Sequence, residues 1–303
     1  MFPIAKYVYI EVMGMIYYAK YHRNGNSFII AEVQDICDKN KKALAQTLCR
    51  TDTGIGADAL IVFDSSMDII SMVSYSKTGM RQPLNANGLA CLVHYCYEYG
   101  FLSEKETYIK TDSTLVTAKI KKTTPFTTNI YLPPAVFSAK SCCMPESVYT
   151  EKLYINTSLG KIPITAVNTG SIYSVIWLDE QKQLHLNRHG RKLITGDRQY
   201  FMKKIAQEIS RDSIFKLKTG IVFAEITEYN TISVKIYDKS SEFLASCLTA
   251  EAAAAVCALR EGRCSGSNIV SGNTNIQISP EGIIKASCVT YKATEGFVSL
   301  CKK

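Results

Sequence analysis

Two stretches of this chain run directly from small, polar residues into segments too apolar to sit at a surface. Leu84-Asn85-Ala86-Asn87-Gly88 leads into the apolar segment 89–97, and Ser246-Cys247-Leu248-Thr249 leads into the Ala-rich segment 250–259. A helix apolar on nearly every side, of which 252–259 is the clearest case, has to be enclosed by other elements. The first backbone N–H groups of a helix lack intrahelical partners, and the positive end of its dipole lies there. Two such starts aimed at one spot would hold a carboxylate between them. The pair is asymmetric, with a thiol at one start (Cys247) and an amide at the other (Asn85).

The rest of the chain supplies the enclosure. Alternation predicts strands at 27–32, 60–63, 69–75, 108–110, 115–120 and 128–132, and helical periodicity runs through 33–49 and 89–99. Pro133-Pro134 breaks the pattern and marks the expected linker. The second half repeats the plan. Its strands fall at 152–157, 162–167, 174–178, 220–228 and 231–237, its helices at 198–210 and 249–261, and further strands at 275–278, 283–289 and 295–300. The expected class is α/β in the α+β sense: two similar halves, each a mixed sheet wrapped around a buried helix, as after an ancient duplication. Residues 1–18 are apolar but carry Lys6 and Glu11, which reads as a strand pair and not a signal peptide.

Composition narrows the function classes. No run approaches the roughly 20 apolar residues of a membrane span. The net charge of +8 is scattered in short clusters without interleaved aromatics, which favours an anionic ligand over a nucleic-acid track. Eleven cysteines, odd in number and without framework spacing, suggest reduced thiols and a cytoplasmic protein, with Cys91 and Cys257 as small core residues. His185 and His189 fall in a turn-rich loop unsuited to metal, and Cys142-Cys143 reads as a loop. Gly54-Ile55-Gly56-Ala57-Asp58 lacks the third glycine and the strand-to-helix setting of a dinucleotide loop. His22 and His94 read as packing or hydrogen-bonding residues.

Five short motifs, in order, resemble the diaminopimelate epimerase family, which racemises amino-acid α-carbons without pyridoxal phosphate. Residues 20–28 (Lys20-Tyr21-His22-Arg23-Asn24-Gly25-Asn26-Ser27-Phe28) are similar to its K-M-H-G-L-G-N-D-F opening, and 53–60 to its G-I-G-A-D-G-L segment. Asn85-Ala86-Asn87-Gly88 stands where the family has C-G-N-G, and Val167-Asn168-Thr169-Gly170-Ser171-Ile172-Tyr173 where it has V-N-T-G-N-P-H. The fifth motif is in two parts: Ile236-Tyr237-Asp238-Lys239, followed by Cys247-Leu248-Thr249-Ala250, is similar to V-Y-E-R followed at similar spacing by C-G-T-G. The resemblance spans about Lys20 to Leu300. It implies two α/β domains, 1–134 with a returning strand 290–303, and 135–289, with the active site between them. There one cysteine takes the α-proton and a second donates from the opposite face, with no cofactor.

The departures from that pattern carry the functional reading. A helix start lowers a thiol's pKa, so Cys247 suits a base, while backbone donors would stabilise charge developing on the substrate carboxylate. Asn85 neither takes nor gives a proton at neutral pH, so the two-base shuttle is broken on its side. The resemblance assigns carboxylate contacts to Asn85, Ala86, Asn87, Gly88, Leu248 and Thr249, and amine and side-chain contacts to Asp238 and Lys239. Asn26 is kept, whereas Ser76, Ser171 and Gly220 replace family asparagines, which implies a wider pocket with fewer donors. Leu248 replaces a glycine and would crowd the carboxylate. The expected partner is a small amino-acid-like or peptidyl substrate bearing a carboxylate, but not diaminopimelate itself. No nucleic acid or membrane is expected, and a homodimer is left open. Single-base epimerisation, a one-base elimination, and binding of an amino acid, peptide or protein without turnover all remain open.

Overall fold

The structure, a computed structural model, describes residues 15–36, 40–102, 104–180, 195–238 and 242–299. The chain divides into two compact units, 1–130 with 288–303, and 131–287. His185, His189 and Lys239 lie outside the described residues, as do residues 1–14.

In the first unit, β1 (Met15–Arg23) and β2 (Asn26–Glu32) form a hairpin. Its two turn residues, Asn24 and Gly25, both have positive φ (45° and 85°), the geometry an Asn-Gly pair adopts with least strain. Two helices follow, α1 (Val33–Ile36) and α2 (Lys41–Leu48), where periodicity predicted one helix over 33–49. The interruption is chemical: Asn40 is extended (φ −66°, ψ 100°), and its carboxamide accepts from the N–H groups of Lys42 and Ala43 at 3.1 and 3.2 Å. An amide of that kind starts a new helix more readily than it continues an old one. Strand β3 (Ala59–Asp64) pairs parallel with β2, and β4 (Ile70–Ser76) antiparallel with β3. The short β5 (Arg81–Gln82) folds back on β4 and delivers the chain to α3 (Ala86–Glu98). Then β6 (Glu106–Lys110) pairs parallel with β4, β7 (Leu115–Thr123) antiparallel with β6, and β8 (Phe126–Leu132) follows.

The second unit repeats this connectivity. Strand β9 (Leu153–Thr157) pairs with β10 (Gly160–Asn168), and β10 antiparallel with β11 (Ile172–Trp177). Helix α4 (Thr195–Ser210) leads to β12 (Gly220–Glu228), parallel to β11, and β13 (Thr231–Tyr237) returns antiparallel. The two-residue β14 (Phe243–Leu244) again precedes the buried helix, α5 (Leu248–Arg260). Beyond it, β15 (Asn268–Ser271) is parallel to β13, followed by β16 (Thr274–Ile278) and β17 (Ile284–Val289). The last strand, β18 (Tyr291–Ser299), belongs to the first unit and pairs antiparallel along β1. The mixed α/β class expected from the sequence is the class observed. Periodicity missed β5, β14 and β15, which at two to four residues are too short to show alternation.

The central helices are enclosed as their composition requires. On α3, residues 86–93 are buried without a break, and on α5 every residue from Leu248 to Ala258 is buried. A second apolar layer lies under α1 and α2 in the first unit (Ile36, Leu44, Leu48) and under α4 in the second (Met202, Ile205, Ile209). Among the described residues, no helix is long and apolar enough to cross a membrane.

Candidate functional site

At the start of α5, Cys247 is the N-cap residue (φ −158°, ψ 114°), half-buried, and makes no side-chain capping bond. Its sulfur instead lies 3.3 Å from the Tyr173 hydroxyl and 3.2 Å from Thr249 Oγ1, and those two oxygens are 2.7 Å apart. Three protic atoms thus form a closed triangle. The Thr249 carbonyl accepts from Thr169 Oγ1 at 2.7 Å, which braces the helix start against the turn that precedes β11. Below it, the buried Glu251 carboxylate accepts from Ser246 Oγ (2.8 Å) and Thr274 Oγ1 (2.5 Å). Burial first, and then the neighbouring Cys247 sulfur, push the Tyr173 phenol well above its ordinary range; Asp238 adds in the same direction. The phenol is therefore a donor and not a base at any ordinary pH.

At the start of α3 the equivalent position is used differently. Asn85 caps its helix: its Oδ1 accepts from the Gly88 N–H at 2.9 Å. Its Nδ2 donates to Ser74 Oγ (3.0 Å) and Gln82 Oε1 (2.9 Å), and Ser74 Oγ itself donates to Gln82 (2.8 Å). A Cβ on Gly88 would lie 2.6 Å from Ile61 Cδ1 and 3.2 Å from the Asn85 carboxamide, so glycine is what lets the amide come this close. Next along, Asn87 is buried, and its Oδ1 accepts from Arg23 Nη1 at 2.9 Å; Arg23 itself is 0% exposed.

Of the remaining expected site residues, Ser76 and Asp238 hold turns of their own. Ser76 is buried in the β4–β5 turn, where its Oγ accepts from the Met80 N–H (3.1 Å) and meets Thr78 Oγ1 (2.8 Å). Asp238, immediately after β13, accepts from the Glu242 N–H (3.2 Å), immediately before β14. Asn26 is buried at the β1–β2 turn, Ala86 is buried in the first turn of α3, and Ser171 lies immediately before β11. Leu248 is wholly buried.

Gly220 departs from the expectation of open space. It stands opposite Tyr173 in the parallel β11–β12 pair, and a Cβ there would lie 2.8 Å from Cδ1 and Cε1 of the tyrosine ring. The missing side chain does not widen the pocket at this point, because the Tyr173 ring fills the space.

Sequence reasoning missed Tyr173, Ser74, Gln82 and Arg23. Tyr173 and Arg23 were detectable, since each stands at a motif position where the family pattern has another residue type. Ser74 carries no local signal, because only strand pairing with Gln82 brings it beside Asn85, and Gln82, three residues before Asn85, stands in none of the motifs.

None of the nine described cysteines is in a disulfide. Burial pushes the Cys49 thiol up to about 12 and holds Cys91 and Cys257 well above the usual thiol range. The loop 54–58 is not a phosphate cradle: the N–H groups of Ile55, Gly56 and Ala57 donate to the carbonyls of Leu48 and Cys49, closing the end of α2. His94 stacks on Phe126 and pairs with Thr290, and His22 stacks on Tyr291. Among the described residues, no group of three or more His, Cys, Asp or Glu is placed to hold a metal.

No family model matches the chain. It is 24% identical over 253 residues to a diaminopimelate epimerase of Halothermothrix orenii, covering 81% of this chain and 84% of that one. It is 25% identical over 283 residues to the diaminopimelate epimerase of Alkaliphilus metalliredigens, covering 89% and 92%. Among solved structures, a hydroxyproline epimerase from Agrobacterium vitis, with trans-4-hydroxy-L-proline bound, aligns with a TM-score of 0.67 at 14% identity, covering 94% of this chain and 91% of that one. A phenazine biosynthesis protein of the PhzF family from Bacillus anthracis aligns with a TM-score of 0.60 at 12% identity, covering 95% and 100%.

Proposed function

We propose that the chain, 24% and 25% identical to two diaminopimelate epimerases, is an isomerase-type enzyme of that kind acting at the α-carbon of an amino acid or aminoacyl group, with Cys247 as its single base. One observation carries this reading. Cys247 is a half-buried thiol at an uncapped helix start, with two hydroxyls on its sulfur. In the step proposed, the thiolate takes the α-proton, forming S–H as the Cα–H bond breaks, and the electron pair left on carbon delocalises into the carboxylate. Backbone N–H groups at a helix start stabilise that charge, with no cofactor called for.

At the start of α3, the Asn85 amide can hydrogen-bond but cannot carry a proton at neutral pH. All the hydrogen-bonding groups of the Asn85 amide are engaged in capping and in holding Ser74 and Gln82, which favours an outcome needing only one base. The abstracted proton then returns on the same face, or a leaving group departs from the β-carbon. Epimerisation with a water as second donor is the third outcome. With Ser76 where the family carries an asparagine, and its hydroxyl held in its own turn, the substrate proposed is less polar than diaminopimelate. Asp238, with Lys239, is assigned to its amine and side chain.

Alkylation tests the premise. At neutral pH, iodoacetamide should modify Cys247 at least tenfold faster than Cys49, Cys91 or Cys257, whose buried thiols are pushed out of the thiolate range. A carboxylate ligand should slow it. Uniform labelling, or no labelling of Cys247, would leave the binding-only alternative standing.

A further inference from the structure

We propose that Tyr173 is the positioning residue for Cys247: its phenol holds the sulfur as a hydrogen-bonded thiolate, and Gly220 is the vacancy its ring requires. This rests on the reading of Cys247 as base. Neither side-chain partner of the sulfur is itself a base; both are hydroxyls. Around a neutral thiol, three protons share three weak contacts. Around a thiolate, one hydroxyl gives a charge-assisted bond to sulfur while accepting the other's proton, and a charge-assisted bond is roughly twice as strong as a neutral one. Of the two donors the phenol is the more acidic, and its burial keeps it protonated. The charged groups that oppose a thiolate here are Asp238, whose charge reaches Tyr173, and Glu251 in the first turn of α5. The helix start and the two hydroxyls favour it.

The internal repeat supplies an independent comparison. The first pair of the β2–β3 ladder is Phe28 opposite Ala59, and the corresponding pair of β11–β12 is Tyr173 opposite Gly220. The half capped by an amide carries a ring without a hydroxyl beside a residue with a Cβ. The half with the thiol carries a hydroxylated ring and no Cβ, and a Cβ at 220 would lie 2.8 Å from that ring. The hydroxyl accompanies the sulfur.

The test follows alkylation of Cys247 by iodoacetamide across pH, read by peptide mass spectrometry, with circular dichroism as the check on folding. Tyr173→Phe should raise the midpoint of the rate profile by about one pH unit, slowing labelling at neutral pH about tenfold. Gly220→Ala keeps the phenol but pushes its ring, and should move the midpoint in the same direction; it decides the matter alone if Tyr173→Phe does not fold. A midpoint that stays or falls in a folded variant overturns the proposal. The readout needs no substrate, so it separates from the enzymatic reading. Wild-type protein that exchanges no α-proton while the midpoint still shifts refutes catalysis and keeps the tyrosine's role; exchange with an unmoved midpoint refutes the tyrosine's role alone.

Discussion

Asn85 and Cys247 hold the same position relative to their helices and spend their side chains in opposite ways. The amide closes a cap and joins two neighbouring strands through Ser74 and Gln82, whereas the sulfur caps nothing and meets only hydroxyls. Asn85→Ala should therefore cost stability, by about 1–2 kcal/mol from the lost cap and the partners left behind, read as a lower urea midpoint at unchanged slope. His94 has a different signature. Burial, assisted by Lys292 and opposed by Glu98, lowers its pKa from 6.5 to about 4. Between those values the unfolded chain binds the proton and the folded chain does not, so stability is complete above about 6.5 and falls as pH drops toward 4. Urea midpoints across that window should decline in the wild type and flatten in His94→Gln. Which residue sits at each helix start was legible from the chain alone. That the amide is fully engaged was not, because Ser74 reaches it only through sheet pairing.

The elements follow from local chemistry where they are long and amphipathic or wholly apolar. The all-round apolar pattern of α5 demanded burial, and every residue from Leu248 to Ala258 is buried. Its Ala-rich face leaves no room to grow. Ala254→Leu should cost about 1–3 kcal/mol by overpacking, measured by chemical unfolding, with near-UV circular dichroism reporting loosened packing. The failures of pattern reading have specific causes. Asn40 splits one periodic stretch into α1 and α2 by capping the second, and β5 and β14 are too short to alternate. Both of these short strands set the entry to a central helix, so the pieces least visible in the sequence lie next to the residues that matter most.

At the scale of the whole molecule, one plan occurs twice: hairpin, crossover helix, antiparallel return, two-residue strand, buried helix, parallel strand. The repetition was visible in the alternation and in the paired helix starts, and it makes the asymmetry between thiol and amide meaningful. A duplicated frame with a thiol at one helix start and an amide at the other, the thiol proposed as the base, is the central claim, and α-proton exchange in deuterated water with a panel of amino acids and dehydrated peptides tests it most directly. Deuterium should enter the α-position of at least one substrate with wild-type protein and with Cys257→Ala, and should fail to enter with Cys247→Ala. Exchange that survives Cys247→Ala, or no exchange with any member of the panel, would contradict it.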